Sequence, residues 1–293
     1  VSEQRGRILV AGDVIDDIVV VPNGPIRPDT DTPSAIALRA GGSAANTAAW
    51  LGTLGSRVDF VGIVAAADVV RHTAALAMHG VTPHLSGHSS APTGTIVVVV
   101  SGQQRAMLTE RGANADFDPA SVTDSLLADV AVLLLTGHSL AGRTDSSALA
   151  ALVTRAHAQG ALVAVSPGSA GHIADVGVDV FRDTFAGADI LFTSIDEGGV
   201  LTGLTDAPQI LAALHSFAPL VVVTAGRDGA FVTGLDVAVP AVLAEVRDPT
   251  GAGDAFCAGF LDEWVRSGDV REAAAAGTRV AARSVAIVGG RPS

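Results

Sequence analysis

The stretch RDPTGAGDAFCAGF, residues 247–260, sets the problem for the whole chain. Gly251, Ala252 and Gly253 are followed at once by Asp254, and then by an apolar run with helical spacing. The first turn of a helix leaves several backbone N–H groups without partners, and its dipole is positive there. Glycines let such a turn close on an anion, so that amides converge on phosphate oxygens. A carboxylate in that position repels a resting anion. It has a use if it takes a proton from an attacking hydroxyl while the amides hold developing charge. A second reading is a plain first-turn Asp, which stabilises a helix by about 0.3–1 kcal/mol. Spacing alone leaves both open.

Working outward, three other stretches carry polar groups next to apolar runs. AGGSAANTAAWLGTLG, residues 40–55, sets Gly41-Gly42 before a helix of small residues with Asn46 in its first turns. The glycines permit close backbone approach to a ligand, and an amide that both donates and accepts suits a polyol. A tight helix–sheet contact would use the same small residues. The pattern is not GxGxxG, which weighs against a hydride-transfer enzyme. DVIDDIVV, residues 13–20, puts Asp13, Asp16 and Asp17 where a first strand ends. Such carboxylates accept sugar hydroxyls or lie in a solvated turn. VVVTAGRDGAFV, residues 221–232, ends a buried strand in Gly226-Arg227-Asp228-Gly229, a place where ligands sit in open α/β sheets and where ordinary turns also occur. His138, in LTGHSL after an apolar run, is a further candidate for a sugar contact, or a buried and satisfied histidine.

Composition narrows the classes. The chain has 293 residues, 48% hydrophobic and 16% charged, with a net charge of −12. An acidic chain does not suit nucleic acid, whose phosphates need basic stripes. All 18 basic residues are Arg, so Lys chemistry is excluded, and Tyr is absent. The single cysteine, Cys257, rules out an intramolecular disulfide and a cysteine metal site, in keeping with a cytoplasmic protein. No HExxH, GxSxG or GxxxxGK[ST] pattern occurs. No signal peptide is visible, and the apolar runs are too short to span a bilayer.

The apolar runs Ile8–Ala11, Arg57–Val64, Val130–Leu135, Leu162–Ser166, Ile190–Thr193 and Leu220–Thr224 read as buried strands. Helices are expected at Ser43–Gly55, His72–Gly80, Ser146–Gln159, Ala252–Ser267 and Val270–Val288, with hairpins at 93–109 and 230–239. From Val130 on, strands alternate with helices, which argues for a parallel sheet covered on both faces. The pieces at about 15–40 and 93–111 are expected to form a small β-sheet lid on a single α/β domain spanning 1–293.

Taken in order, these stretches resemble the ribokinase family of sugar kinases, the PfkB carbohydrate kinases. GGSAANTAAWLGTLG is similar to its first signature, and DPTGAGDAFCAGF to its second. GVTPHL, TGTIVVVV, MLTERGANADF and GRDGAFV match landmarks between them, so the resemblance covers nearly the whole chain. It implies a doubly wound, mostly parallel sheet with helices on both faces, a β-sheet lid, and ATP-dependent phosphorylation of a sugar or nucleoside CH2OH. Asp254 then matches the catalytic base, and Gly251, Ala252 and Gly253 the anion hole. Asp17, Gly41, Gly42 and Asn46 match sugar contacts. Thr224, Gly226, Arg227 and Gly229 fall on the nucleotide loop, and Thr278 where an adenine-facing Asn often stands. Ser194 and Glu197 fall on a motif that organises water around Mg²⁺. Asp248, Thr250, Ser284, Ile287, Gly289 and Ser293 fall where a monovalent cation, K⁺, is bound.

The departures are specific. Ser194 replaces an Asn, Thr224 stands where a Lys is common, and VAAADVV, residues 64–70, replaces VGDDxxG. Ile15 replaces the sugar-side Asn of ribokinases, which argues against ribose. Two alternatives remain beside the sugar kinase: a nucleoside kinase of the same family, and a non-catalytic sugar-binding or regulatory protein on the same fold. If the lid strands carry apolar outward faces, a homodimer through the lids is expected.

Overall fold

The computed structural model describes residues 6–101, 104–140 and 146–292. The chain opens with β1 (Arg7–Ala11), then β2 (Ile15–Pro22) and β3 (Ser34–Gly41), and turns into helix α1 (Ser43–Thr53). Next come β4 (Val58–Ala65), α2 (Val69–Ala77), β5 (Val81–His88), β6 (Gly94–Ser101) and β7 (Gln104–Glu110). A short α3 (Asp124–Leu127) leads to β8 (Val130–Thr136), α4 (Ser147–Ala158) and β9 (Leu162–Ser166). The chain continues through α5 (Ala170–Val176), α6 (Val178–Thr184), β10 (Ile190–Ser194), α7 (Ile195–Thr202) and α8 (Ala207–Leu214). It closes with β11 (Leu220–Thr224), β12 (Ala230–Val232), α9 (Ala252–Ser267) and α10 (Val270–Val285).

Eight strands form one sheet in the order β12-β11-β10-β9-β8-β1-β4-β5, parallel except for β12. Its strands are apolar on both faces because helices cover both. Ile8, Val10, Val132 and Leu134 point into a core with Trp50 and Leu51 of α1, Phe256 and Phe260 of α9 and Ala273 of α10. Their neighbours Leu9, Ala11, Leu133 and Leu135 point the other way, against Leu149, Leu152, Ile173, Phe181, Ile210 and Leu214. From β1 the order runs outward to β4 and β5 on one side, and from β8 to β9, β10 and β11 on the other. The switch point therefore lies between β1 and β8, where a crevice opens beyond the strand ends.

A second sheet, β3-β2-β6-β7, stands apart from the first. Its register puts Ile18, Val20, Ile36, Leu38, Val97, Val99, Ala106 and Leu108 on one face. Asp17, Ile96, Val98, Met107 and Thr109 share the other face, which looks into a cleft. An ion pair ties this sheet to the body: Arg71 of α2 donates two hydrogen bonds to Asp16 of β2, at 2.8 and 2.7 Å.

Several sequence expectations need correction. Asp16 and Asp17 lie inside β2, not in a turn, because the whole run from Ile15 pairs with both β3 and β6. The helix expected at His72–Gly80 begins at Val69, continuing a 3₁₀ turn at Ala66–Asp68. The hairpin at 230–239 reduces to a single bridge, Ala230 to Val239, since Val237 is exposed and has no face to bury. The last helix stops at Val285, and residues 286–290 turn back toward the start of α9. Strand β5 was not anticipated, since TPHLSGH, residues 82–88, is too polar to read as a buried strand at the sheet edge.

Candidate active site

A cleft of about 1060 Å³ lies between the lid face and the carboxyl ends of the large sheet. Gly251 caps α9 at φ +75, and no side chain caps the amides of that first turn, of which Ala252 N donates to the Pro249 carbonyl at 3.3 Å. A Cβ on Gly251 would come within 2.6 Å of the Gly290 Cα, so only glycine lets the two turns touch. Asp254 follows in the first turn, at the cleft.

Two side chains from α1 hold the Asp254 carboxylate. Ser43 Oγ donates to Oδ1 at 2.6 Å, and Asn46 Nδ2 donates to Oδ2 at 3.0 Å. Each oxygen has a further lone pair for an incoming hydroxyl. Burial pushes the Asp254 pKa up to about 7, opposed by the Ser43 and Asn46 hydrogen bonds and reinforced by Asp13 and Glu197. A carboxyl with that value can accept and release a proton near neutral pH.

The start of α1 is itself fixed from β1. Asp13 accepts from the backbone amides of Ser43 (2.9 Å) and Ala44 (3.1 Å), and from Thr136 Oγ1 at 3.2 Å. Gly42 adopts φ +94, where a Cβ would meet the Asp13 carbonyl at 2.5 Å. Behind Asn46 sits Arg291, which is buried. Its Nε donates to Asn46 Oδ1 at 3.3 Å and its Nη2 to the Gly41 carbonyl at 2.7 Å. Because Arg only donates, this contact orients the Asn46 amide with its NH₂ toward Asp254.

Asp17 lines the cleft from the lid, over Gly41, where a Cβ would fall 2.2 Å from its Oδ2. Burial raises the Asp17 pKa to about 6, with Arg291 pulling the other way. Burial and the nearby Arg111 hold His138 down, to about 4, despite the pull of Asp13. Arg111 Nη2 donates to His138 Nδ1 at 3.1 Å, and the His138 and His172 rings meet tilted by 48°, with centroids 4.9 Å apart.

Ser194, Glu197 and Thr224 line the far end of the cleft, at β10 and β11. Ser194 and Glu197 form a reciprocal capping box on α7: Glu197 N donates to Ser194 Oγ at 3.2 Å, and Ser194 N donates to Glu197 Oε2 at 2.8 Å. Burial raises the Glu197 pKa. Gly226 and Arg227 are exposed just beyond β11, outside the cleft wall. Gly229 has a packing reason of its own: a Cβ there would fall 2.0 Å from the Val239 carbonyl. Thr278 is also outside the wall and donates back to Ala275 in its own helix.

Asp248 bridges the loop before α9 to the loop after α10, accepting from Thr250 N at 2.9 Å and Gly289 N at 3.0 Å. Ser284 Oγ is buried with no hydrogen-bond partner among the described residues, while the Ile287 side chain packs on the core. Ser293 lies outside the described residues. Among the described residues no group of three or more His, Cys, Asp or Glu side chains could hold a metal ion. No described helix is long and apolar enough to cross a membrane.

Sequence reasoning missed Ser43, Arg111, His172 and Arg291. Ser43 was readable, since it opens α1 three residues before Asn46, on the same helix face. Arg111 lies inside the MLTERGANADF landmark without being singled out there, and Arg291 carried no local signal.

Comparison with known proteins agrees with this geometry. A family model described as pfkB family carbohydrate kinase matches residues 5–293. A bifunctional protein HldE from Shewanella denitrificans is 29% identical over 272 residues, covering 86% of this chain and 54% of its own. The chain thus spans about half the length of the curated relatives it matches. Among solved structures, adenosine kinase from Sinorhizobium meliloti superposes with a TM-score of 0.87 at 26% identity, covering 98% of this chain and 96% of that one. A probable sugar kinase from Rhizobium etli superposes at 0.86 with 25% identity, over 98% and 95%. The chain belongs to the pfkB family of carbohydrate kinases, phosphotransferases that use an alcohol as acceptor.

Proposed function

We propose that this protein transfers the γ-phosphate of ATP to a CH2OH hydroxyl of a small sugar, with Asp254 as general base. The observation that carries this is Asp254 itself: a carboxylate with a neutral-range pKa, one donor on each oxygen, in the uncapped first turn of α9. Asp254 takes the hydroxyl proton, while the amides of Gly251, Ala252 and Gly253 stabilise charge on the phosphate being transferred. Positioning supplies much of the rate, since phosphoryl transfer asks little covalent chemistry of the protein.

In this reading Asp17, Gly41, Gly42, Asn46 and His138 hold the acceptor at the β1 and β8 ends. ATP lies toward β10 and β11, along Thr224, Gly226, Arg227 and Gly229, with its base toward Thr278. Open space lies beside Gly226 and beside Gly253, where a Cβ would meet nothing within 4 Å, which leaves room for phosphate at both turns. Glu197 would hold Mg²⁺ through water, and the ion, which keeps much of its water shell, would supply charge neutralisation on the phosphates. Asp248, Thr250, Ser284, Ile287, Gly289 and Ser293 are the proposed surround of a K⁺ ion, to which the unpartnered Ser284 hydroxyl would contribute. We place the protein in the cytoplasm, as one domain with the β3-β2-β6-β7 sheet as lid, and a second copy against the apolar outer face of that sheet.

A nucleoside acceptor is the second reading, favoured by the likeness to an adenosine kinase. Against it, Phe192 and Phe256 are the only Phe, Tyr or Trp side chains on the described cleft wall, and both are buried. Product formation from ATP with pentoses, hexoses and nucleosides separates the two. Phosphorylated sugar supports the proposal. Turnover of nucleosides alone replaces it with the second reading, and tight sugar binding with no ATP turnover points to a non-catalytic binder.

A further inference from the structure

Arg111 sits at the end of β7, in register with Met107 and Thr109 on the inner face of the lid, and it lines the cleft. Its one hydrogen-bond partner among the described residues is His138 Nδ1, at 3.1 Å, and no described carboxylate pairs with it. A guanidinium carries five N–H donors, so most of its donor capacity and its full charge remain open to the cleft.

The histidines beside it are set up as donors and acceptors of known sense. Arg111 can only donate, so His138 Nδ1 accepts and the ring proton of the neutral imidazole sits on Nε2. That N–H faces Gly168, where a Cβ would fall 2.6 Å from Nε2. The missing side chain at Gly168 leaves the space beside the donor open, and Gly168 also lines the cleft. His172 Nε2 donates to the Gly137 carbonyl at 2.9 Å, which holds its ring against His138. The carboxylates near this cluster are Asp13 and Asp175. Asp13 is occupied by two backbone amides and Thr136, and Asp175 is solvent-exposed. The cluster lies at the ends of β8 and β9, on the acceptor side, away from Ser194 and Thr224 at β10 and β11.

An uncompensated guanidinium that lines the cleft, held at one N–H by His138 Nδ1 and with its other donors free among the described residues, makes a carboxylate or phosphate site. We infer that the acceptor carries, besides the hydroxyl that is phosphorylated, a second anionic group held by Arg111, whose guanidinium His138 orients. The substrate class is then a sugar acid or a sugar monophosphate, not a neutral sugar or a nucleoside. This deepens the kinase reading above and rests on its placement of the acceptor.

The test is calorimetric binding without nucleotide, using matched neutral hexoses, aldonates and hexose monophosphates. An anionic member should bind at least about tenfold tighter than its neutral counterpart, and Arg111→Met should erase that difference while neutral sugars bind as before. The better of the two anionic series tells carboxylate from phosphate. Arg111→Lys, which keeps the charge but loses the fork, should fall between. Equal affinity for neutral and anionic members overturns the inference, as does an Arg111→Met variant that keeps the discrimination or loses ATP binding instead. Melting curves verify that each variant folds. The inference and the kinase reading fail separately: a tight anionic ligand that ATP does not phosphorylate leaves the site and removes the reaction.

Discussion

Asp254 is a carboxyl whose environment works against its charge. Burial raises its pKa from 3.8 to about 7, and the Ser43 and Asn46 hydrogen bonds only partly offset this. The base must be ionised to accept a proton, so kcat/KM should rise with pH along a limb centred near 7, read from a steady-state pH profile. Ser43→Ala removes a donor to the ionised form and should move that limb to higher pH. Stability follows the opposite sign. A folded pKa above the unfolded one contributes stability below about pH 4 that is lost as pH rises through about 7. Asp254→Asn should therefore gain in melting temperature relative to the wild type across that window, and level off above it. The candidate site was legible where its residues form a local pattern, as in the Gly251–Asp254 turn and the Gly41–Asn46 turn. Arg291 was not, because its role depends on contacts with Asn46 and Gly41 some 245 and 250 residues away in sequence.

At the scale of elements, two turns and one helix start make the site. The cap of α9, the loop after α10 and the first turn of α1 touch through Gly251, Gly290 and Asn46, and Trp50 Nε1 donates to the Gly290 carbonyl at 2.9 Å. Gly251→Ala should lower stability by more than ~1 kcal/mol, since it adds a positive-φ penalty to a backbone clash. Denaturant unfolding measures this, and an unchanged midpoint would show that the turn gives way cheaply. Elements with strong periodicity were readable: α9 spans the expected Ala252–Ser267, and the parallel strands from Val130 onward differ by at most a residue at an end. Strand β5 was not, because an edge strand alternates with polar residues and lacks the buried run that marks its neighbours.

At the scale of the molecule, the lid presents a problem of its own. Its outer face exposes Ile36 (67%) and Leu38 (64%) on one edge strand and Leu108 (63%) on the other. A face of this kind on a small sheet needs cover, and a second lid is self-complementary to it. Sedimentation should give a dimer at micromolar concentration, and Leu38→Asp should give a monomer that melts lower. A wild-type monomer would remove the lid-to-lid arrangement without touching the site.

The central claim is that Asp254 removes the proton from the acceptor hydroxyl during phosphoryl transfer. Single-turnover transfer of γ-phosphate from ATP to the best acceptor, wild type against Asp254→Asn, tests it most directly. The account predicts a fall of roughly 10²–10⁴-fold in the transfer rate, with ATP binding intact. Transfer by Asp254→Asn at near the wild-type rate would contradict it.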